Sequence, residues 1–162
     1  MAAIPTSERF FAPEISKVYF ATAIVNKAAY TRAEVTAAQD LTKEIAEISG
    51  FSVSSGMIDT PDLGSRFTSQ IGGRTSVEAS SITFYADKAG DDVRSVLPRG
   101  TKGFLIFMDG GDVAASKSDV YPVEVTSLGK VRATGDTAAQ LTVSFAVTAP
   151  PAEDVAIPTV TP

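Results

Sequence analysis

Of the side chains that can serve as nucleophile, base or metal ligand, this sequence holds carboxylates, hydroxyls and amines, but no histidine and no cysteine. A Ser-His-Asp or Cys-His arrangement has no imidazole or thiolate to build on, and the common zinc sites are excluded for the same reason. Acidic pairs remain: Asp91 with Asp92, Asp109 with Asp112, and Glu153 with Asp154. Each falls where a helix cap, a turn or an arm is expected, and capping or solvation accounts for it without catalysis. Gly72-Gly73-Arg74-Thr75-Ser76 lacks the G-x-x-x-x-G-K-[ST] spacing of a phosphate loop and precedes a strand, not a helix. Asp109-Gly110-Gly111-Asp112 falls short of the ligand count of a calcium loop and reads as a turn. No catalytic residue, metal or cofactor is expected.

The elements that would position these groups are mostly strands. A chain of 162 residues is long enough for one domain with a real core and short for two. It is 44% hydrophobic and 20% charged, and it favours Ala, Thr, Val and Ser, a strand-forming bias. The net charge of -5 opposes binding to phosphate backbones, which needs clustered Lys and Arg. The N-terminus has no basic segment followed by an apolar one, and no run approaches the ~18 apolar residues of a membrane span, so a soluble protein with no membrane partner is expected.

Residues 1–16, with Pro5, Pro13 and the pair Phe10 and Phe11, read as an extended arm or, equally, as a loop on their own domain with both Phe in the core. Val18, Phe20 and Ile24 alternate in a first strand over 17–25, and Thr31-Arg32-Ala33-Glu34 matches a capping box opening at most two helical turns. A strand over 43–53 changes phase near Ser49-Gly50, where a bulge is expected. Residues 54–75, with Gly56, Pro61, Gly64, Gly72 and Gly73, show neither helical nor strand periodicity and read as a long loop. Met57, Ile58, Leu63, Phe67 and Ile71 make that loop too apolar for a solvated tether, so it packs either on its own domain or on another subunit. The return strand 77–86 puts Ile82 and Phe84 on one face and Ser81 and Thr83 on the other. Asp91, followed by Val93, Val96 and Leu97 and stopped by Pro98, predicts a helix. Phe104 to Met108 is apolar on both faces and should be the most buried strand.

Residues 119–148 form the organising unit. Tyr121, Val123 and Val125 alternate in one strand that Leu128-Gly129-Lys130 closes, and Leu141, Val143, Phe145 and Val147 alternate with Thr142 and Ser144 in its antiparallel partner. Residues 149–162, with Pro150, Pro151, Pro158 and Pro162, exclude a helix or central strand and form an arm that docks through Val155, Ile157 and Val160. The fold class is mainly β: an antiparallel β-sandwich or barrel spanning 17–148, with one short flanking helix, a long inter-strand loop and extended N- and C-terminal arms.

The order of Asp40-Leu41-Thr42 before a strand, the Gly-rich loop with its return strand, Gly90-Asp91-Asp92 opening a helix, and Ser127-Leu128-Gly129-Lys130 resembles the tail tube proteins of long-tailed, siphovirus-type phages. The resemblance implies hexameric rings stacked into a hollow tail through which the genome passes. It implies that the long loop and the arms make contacts between subunits and rings, which here means Phe10, Phe11, Met57, Ile58, Leu63, Phe67, Ile71, Val155 and Ile157. The partners it implies are further copies of the chain, the tail terminator, tape measure and distal tail proteins, and double-stranded DNA in transit without specific binding. Polar strand faces would line the lumen, with Ser81, Thr83, Thr142 and Ser144 as candidates and Glu44, Glu47 and Glu78 as the acidic ones. The alternatives are a tube subunit of a related injection or secretion system and a β-sandwich binding module that does not assemble. The absence of Trp counts against a sugar-binding platform.

Overall fold

In a computed structural model that describes residues 3–132 and 134–159, the FLIFM segment lies in β7 (Lys102–Met108), with apolar side chains buried on both faces. That double burial organises the molecule. One face of β7 sends Leu105 and Phe107 into the main core, and the other sends Ile106 and Met108 into a second, smaller cluster. β7 pairs antiparallel with β1 (Lys17–Ala21) on one side and with the first half of β8 (Lys117–Val131) on the other. The second half of β8 pairs with β9 (Gln140–Val147), which pairs with β6 (Ser80–Tyr85), which pairs with β3 (Ile45–Ser49). The two-residue β2 (Gln39–Asp40) closes the other end of the path against β1.

Val18 and Phe20 of β1 share one core with Ile82 and Phe84 of β6 and with Leu141, Val143 and Phe145 of β9. The sheet must therefore curl over on itself through the long β8, giving the mainly β sandwich. A bulge between Val125 and Ser127 sits midway along β8, where bending requires a local break in register. Gly103 faces the Phe20 ring, where an added Cβ would come within 2.5 Å of Cζ, so the backbones of β1 and β7 close over a space only hydrogen fills.

The capping box forms as expected. Thr31 Oγ1 accepts from the Glu34 N–H at 3.3 Å, Glu34 Oε2 accepts from the Thr31 N–H at 2.6 Å, and the helix Arg32–Ala37 follows. It drops Val35 into the second cluster, beside Tyr30.

Several expectations are corrected. Residues 54–75 are not a structureless loop: β4 (Val53–Thr60) and β5 (Ser69–Val77) pair as an antiparallel ribbon. The ribbon hid its alternation because it has no buried face to demand one. The helix expected from Asp91 shrinks to the single 3-10 turn Val93–Ser95, capped by Asp92, since Pro98 leaves room for one turn only. The bulge placed near Ser49-Gly50 lies between Ile45 and Glu47, and the phase change reflects positive φ at Gly50 and Phe51. Leu128-Gly129-Lys130 lies inside β8, which runs on to Val131. The C-terminal arm docks on its own chain: Ala152–Ala156 forms β10 against the start of β8. Val155 and Ile157 are 6% and 2% exposed within the second cluster, so their apolar surface is covered inside the subunit and is not offered to a neighbour. Val160 lies outside the described residues.

Candidate functional site

Among the described residues no buried side-chain polar atom lacks a partner, and two exposed surfaces stand out. The first is the solvent side of the β3-β6-β9-β8 sheet. Because Ile82, Phe84, Leu141, Val143 and Phe145 point inward, the intervening residues must point outward. The register aligns them in cross-strand rows. One row runs Glu47, Thr83, Thr142, Gly129, and the next runs Ser49, Ser81, Ser144, Ser127. Thr83 and Thr142 hydroxyls hydrogen-bond across the strands at 3.2 Å, and Thr126 Oγ1 donates to the Ser144 carbonyl at 3.0 Å. Glu47 is the single charge in these two rows.

Five of the seven candidate lumen residues, Glu47, Ser81, Thr83, Thr142 and Ser144, are thus brought onto one face. Glu44 is not among them, because it ends the 3-10 turn Thr42–Glu44 before β3 begins. Glu78 sits in the link between β5 and β6, donating its N–H to the Ser52 carbonyl. Sequence reasoning missed Ser49 and Ser127, whose membership depends on strand register and not on their own neighbours in the chain.

The second surface is the ribbon. From Ser54 to Gly72 every residue except Thr60 is exposed. Met57 is 75% and Phe67 78% exposed, and Ile58, Leu63 and Ile71 are open as well. Ile58 and Ile71 face each other across the ribbon. Five large apolar side chains on the ribbon and the turn at its tip are thus open to solvent, which favours cover by another surface. Residues 3–15 are likewise exposed throughout, including Phe10 and Phe11, with one turn at Ala12–Ile15 closed by the Ser16 N–H on the Ala12 carbonyl.

Within the acidic pairs, the carboxylates of Asp92 and Asp112 do structural work. Asp92 is buried, caps its turn by accepting the Arg94 N–H at 3.1 Å, and takes the Arg94 guanidinium at 2.7 and 2.8 Å. That guanidinium, aided by the backbone N–H and opposed by burial, holds the Asp92 carboxyl below its ordinary value. Asp112 makes a two-pronged ion pair with Arg32 at 2.5 and 2.6 Å, tying the helix to the turn after β7. Asp154 is on β10, where its N–H is held by Asp119 Oδ1 and its carbonyl by Lys117. Glu34 is held below its ordinary value chiefly by the Val25 N–H, then by the Thr31 N–H. Among the described residues no group of three acidic side chains is placed to hold a metal ion, and no helix is long and apolar enough to cross a membrane.

A curled antiparallel sandwich with a polar sheet face and a solvent-exposed apolar ribbon, in which Asp92 and Asp112 serve in a cap and ion pairs, is built as a structural, surface-presenting subunit. The chain belongs to the family described as phage tail tube protein, which matches it over residues 4–160. Its fold is similar to the tail tube of SPP1, at 14% identity and a TM-score of 0.58, covering 90% of this chain and 79% of that one. It is similar at the same TM-score to a chain of the PVC extracellular contractile injection system's sheath/tube terminator, at 12% identity over 89% of this chain and 96% of that one. A chain of the anti-feeding prophage baseplate follows at a TM-score of 0.55 and 12% identity, covering 90% and 92%. No curated protein matches the sequence. The chain is a structural tail tube subunit, a component of the virion tail.

Proposed function

We propose that this subunit assembles into hexameric rings, made in the bacterial host's cytoplasm, that stack into the conduit for the phage genome. In this reading the β3-β6-β9-β8 face lines the lumen and the β4-β5 ribbon bridges to the adjacent ring. Phe10 and Phe11 on the exposed N-terminal arm add contacts between subunits. The tail terminator, tape measure and distal tail proteins are its partners, DNA passes without specific binding, and the role involves no catalysis.

The observation that carries the proposal is the ribbon. Among the described residues its strands pair only with each other, and an isolated two-stranded ribbon is marginal in water unless something covers it. Each of Met57, Ile58, Leu63, Phe67 and Ile71 gains about 1.5 to 3 kcal/mol on full burial, an upper range at an interface. Geometry is compatible with a conduit. Four strands from each of six copies give about 24; at ~4.8 Å spacing and ~40° tilt the backbone cylinder is roughly 48 Å across. Side chains of about 5 Å per wall leave a bore of roughly 40 Å, ample for a duplex.

The test replaces the span between Gly56 and Gly73 by a short Gly-Ser linker. Loop-closure entropy changes little, so circular dichroism should report an intact sandwich while electron microscopy shows rings or free subunits without tubes. Full-length tubes from the shortened protein would sink the bridging role.

A further inference from the structure

The ribbon projects, yet its root is bolted down. Phe51, two residues before β4, inserts its ring among Phe107, Tyr121 and Phe145, with centroid distances of 4.9, 5.4 and 6.0 Å. Both of its backbone polar groups are held by side chains of the body. Its N–H donates to Ser80 Oγ at 2.9 Å, and its carbonyl accepts from Tyr121 Oη at 2.6 Å. Ser80 is buried at the start of β6 and in turn donates to the Glu78 carbonyl at 2.9 Å. The Glu78 N–H closes the ring of contacts on the Ser52 carbonyl at 3.2 Å. Residues 51–52, which enter the ribbon, and 78–80, which leave it, are therefore tied to each other and to β8.

The backbone that makes this possible is unusual. Gly50 has φ +83, and a Cβ there would lie 2.6 Å from the Ala79 carbonyl oxygen, so only glycine lets the two connections approach. Phe51 itself adopts φ +56, a conformation that a bulky residue holds only where its surroundings impose it.

We propose that Gly50, Phe51, Ser80 and Tyr121 form a rigid mount that sets the angle of the ribbon in the free subunit, with Tyr121 the positioning residue. The inference rests on the reading of the ribbon as the bridge between rings. A ribbon free to swivel loses that freedom at every junction it enters, and the loss recurs in each copy around a ring. A ribbon held at its root has lost it already on folding. Tyr121 touches no neighbouring ring in this account and acts entirely through Phe51.

Tyr121→Phe removes one hydroxyl and keeps the ring. In unassembled protein, hydrogen exchange at the Phe51 and Glu78 amides should speed up by roughly threefold to tenfold, the range of one lost hydrogen bond, while amides of β7 and β9 stay slow. The protein concentration at which tubes appear should rise by at least a similar factor. Tyr30→Phe is the control: it deletes a buried hydroxyl bonded to Ser118 at 2.7 Å, in the second cluster and not in the core that holds Tyr121, and should leave the threshold unchanged. Ser80→Ala, which deletes the acceptor for the Phe51 N–H, should reproduce the Tyr121→Phe result. An unchanged threshold for Tyr121→Phe, an equal rise in Tyr30→Phe, or loss of the sandwich fold in both root variants would overturn the mount. The linker-shortened protein separates the two ideas. If it still builds tubes the bridging reading fails and the threshold no longer bears on the mount, which unchanged exchange at the Phe51 and Glu78 amides in Tyr121→Phe would then overturn by itself.

Discussion

Asp92 shows how a residue that looks like chemistry in a sequence becomes architecture. Its carboxylate is buried, caps a turn and faces the partly exposed guanidinium of Arg94, whose Nε lies 2.7 Å away. The pairing depresses the carboxyl below its ordinary 3.8, so the folded state binds the proton less readily than the unfolded one. The resulting stability is complete above about pH 4 and disappears as pH falls through the lower folded value. Asp92→Asn keeps an acceptor for the turn's N–H but removes the charge. It should cost about 1 to 2 kcal/mol at pH 7 in urea unfolding. That difference should narrow steadily below pH 4, because the wild-type carboxyl is itself neutralised there. A deficit independent of pH would assign the effect to packing and not to the ion pair.

Among elements, the C-terminal strand is the one whose role the structure changes most. As an arm that docks on a neighbouring subunit, residues 149–162 would be dispensable for the folding of their own. As β10 they cover Ile106, Met108 and Val120, and Ser118 Oγ donates to the Val155 carbonyl at 2.9 Å. Ile157→Ala should therefore destabilise the isolated subunit by about 2 to 4 kcal/mol, read by chemical denaturation below the assembly threshold. An effect on tube formation with no loss of subunit stability would return the arm to the interface. The contrast with the rest of the chain explains what could be read without coordinates. Period-2 burial made β6, β9 and the inner half of β8 legible, and the double-faced apolar run located β7. The Thr31 to Glu34 capping box was legible because it is a local pattern. The polar candidates Ser81, Thr83, Thr142 and Ser144 followed from the same alternation. Two kinds of feature were not legible. The ribbon has no buried face and so no periodic signature. Phe51 and β10 owe their places to long-range contacts, with Tyr121 and with β8, that no window of neighbouring residues contains.

For the whole molecule, the proposed place of the polar face around a bore carries a prediction about charge. DNA carries a dense array of phosphates, and every cation that meets one adds affinity by releasing counterions. The rows through Thr83 and Ser81 offer no cation and a single carboxylate, Glu47, so they supply neither counterion-release affinity nor a strong field. In the proposed tube a duplex facing hydroxyls and backbone would slide past ring after ring, whereas modest retention at each ring would multiply along it. Glu47 and Ser49 are exposed on β3, and lysine at both should fit without disturbing the core. Tubes of the Glu47→Lys, Ser49→Lys double variant should assemble, then retain duplex DNA at low salt and release it as salt rises. Each new phosphate contact steepens the plot of log affinity against log salt by about 0.9. Glu78→Lys supplies the comparison that the fold itself suggests. It makes the same change of charge as Glu47→Lys but sits in the β5-β6 link off the polar rows, and so should leave DNA retention at the wild-type level. Retention by Glu78→Lys and not by the β3 double variant would turn the sheet around, placing the link toward the bore and the polar rows outside it.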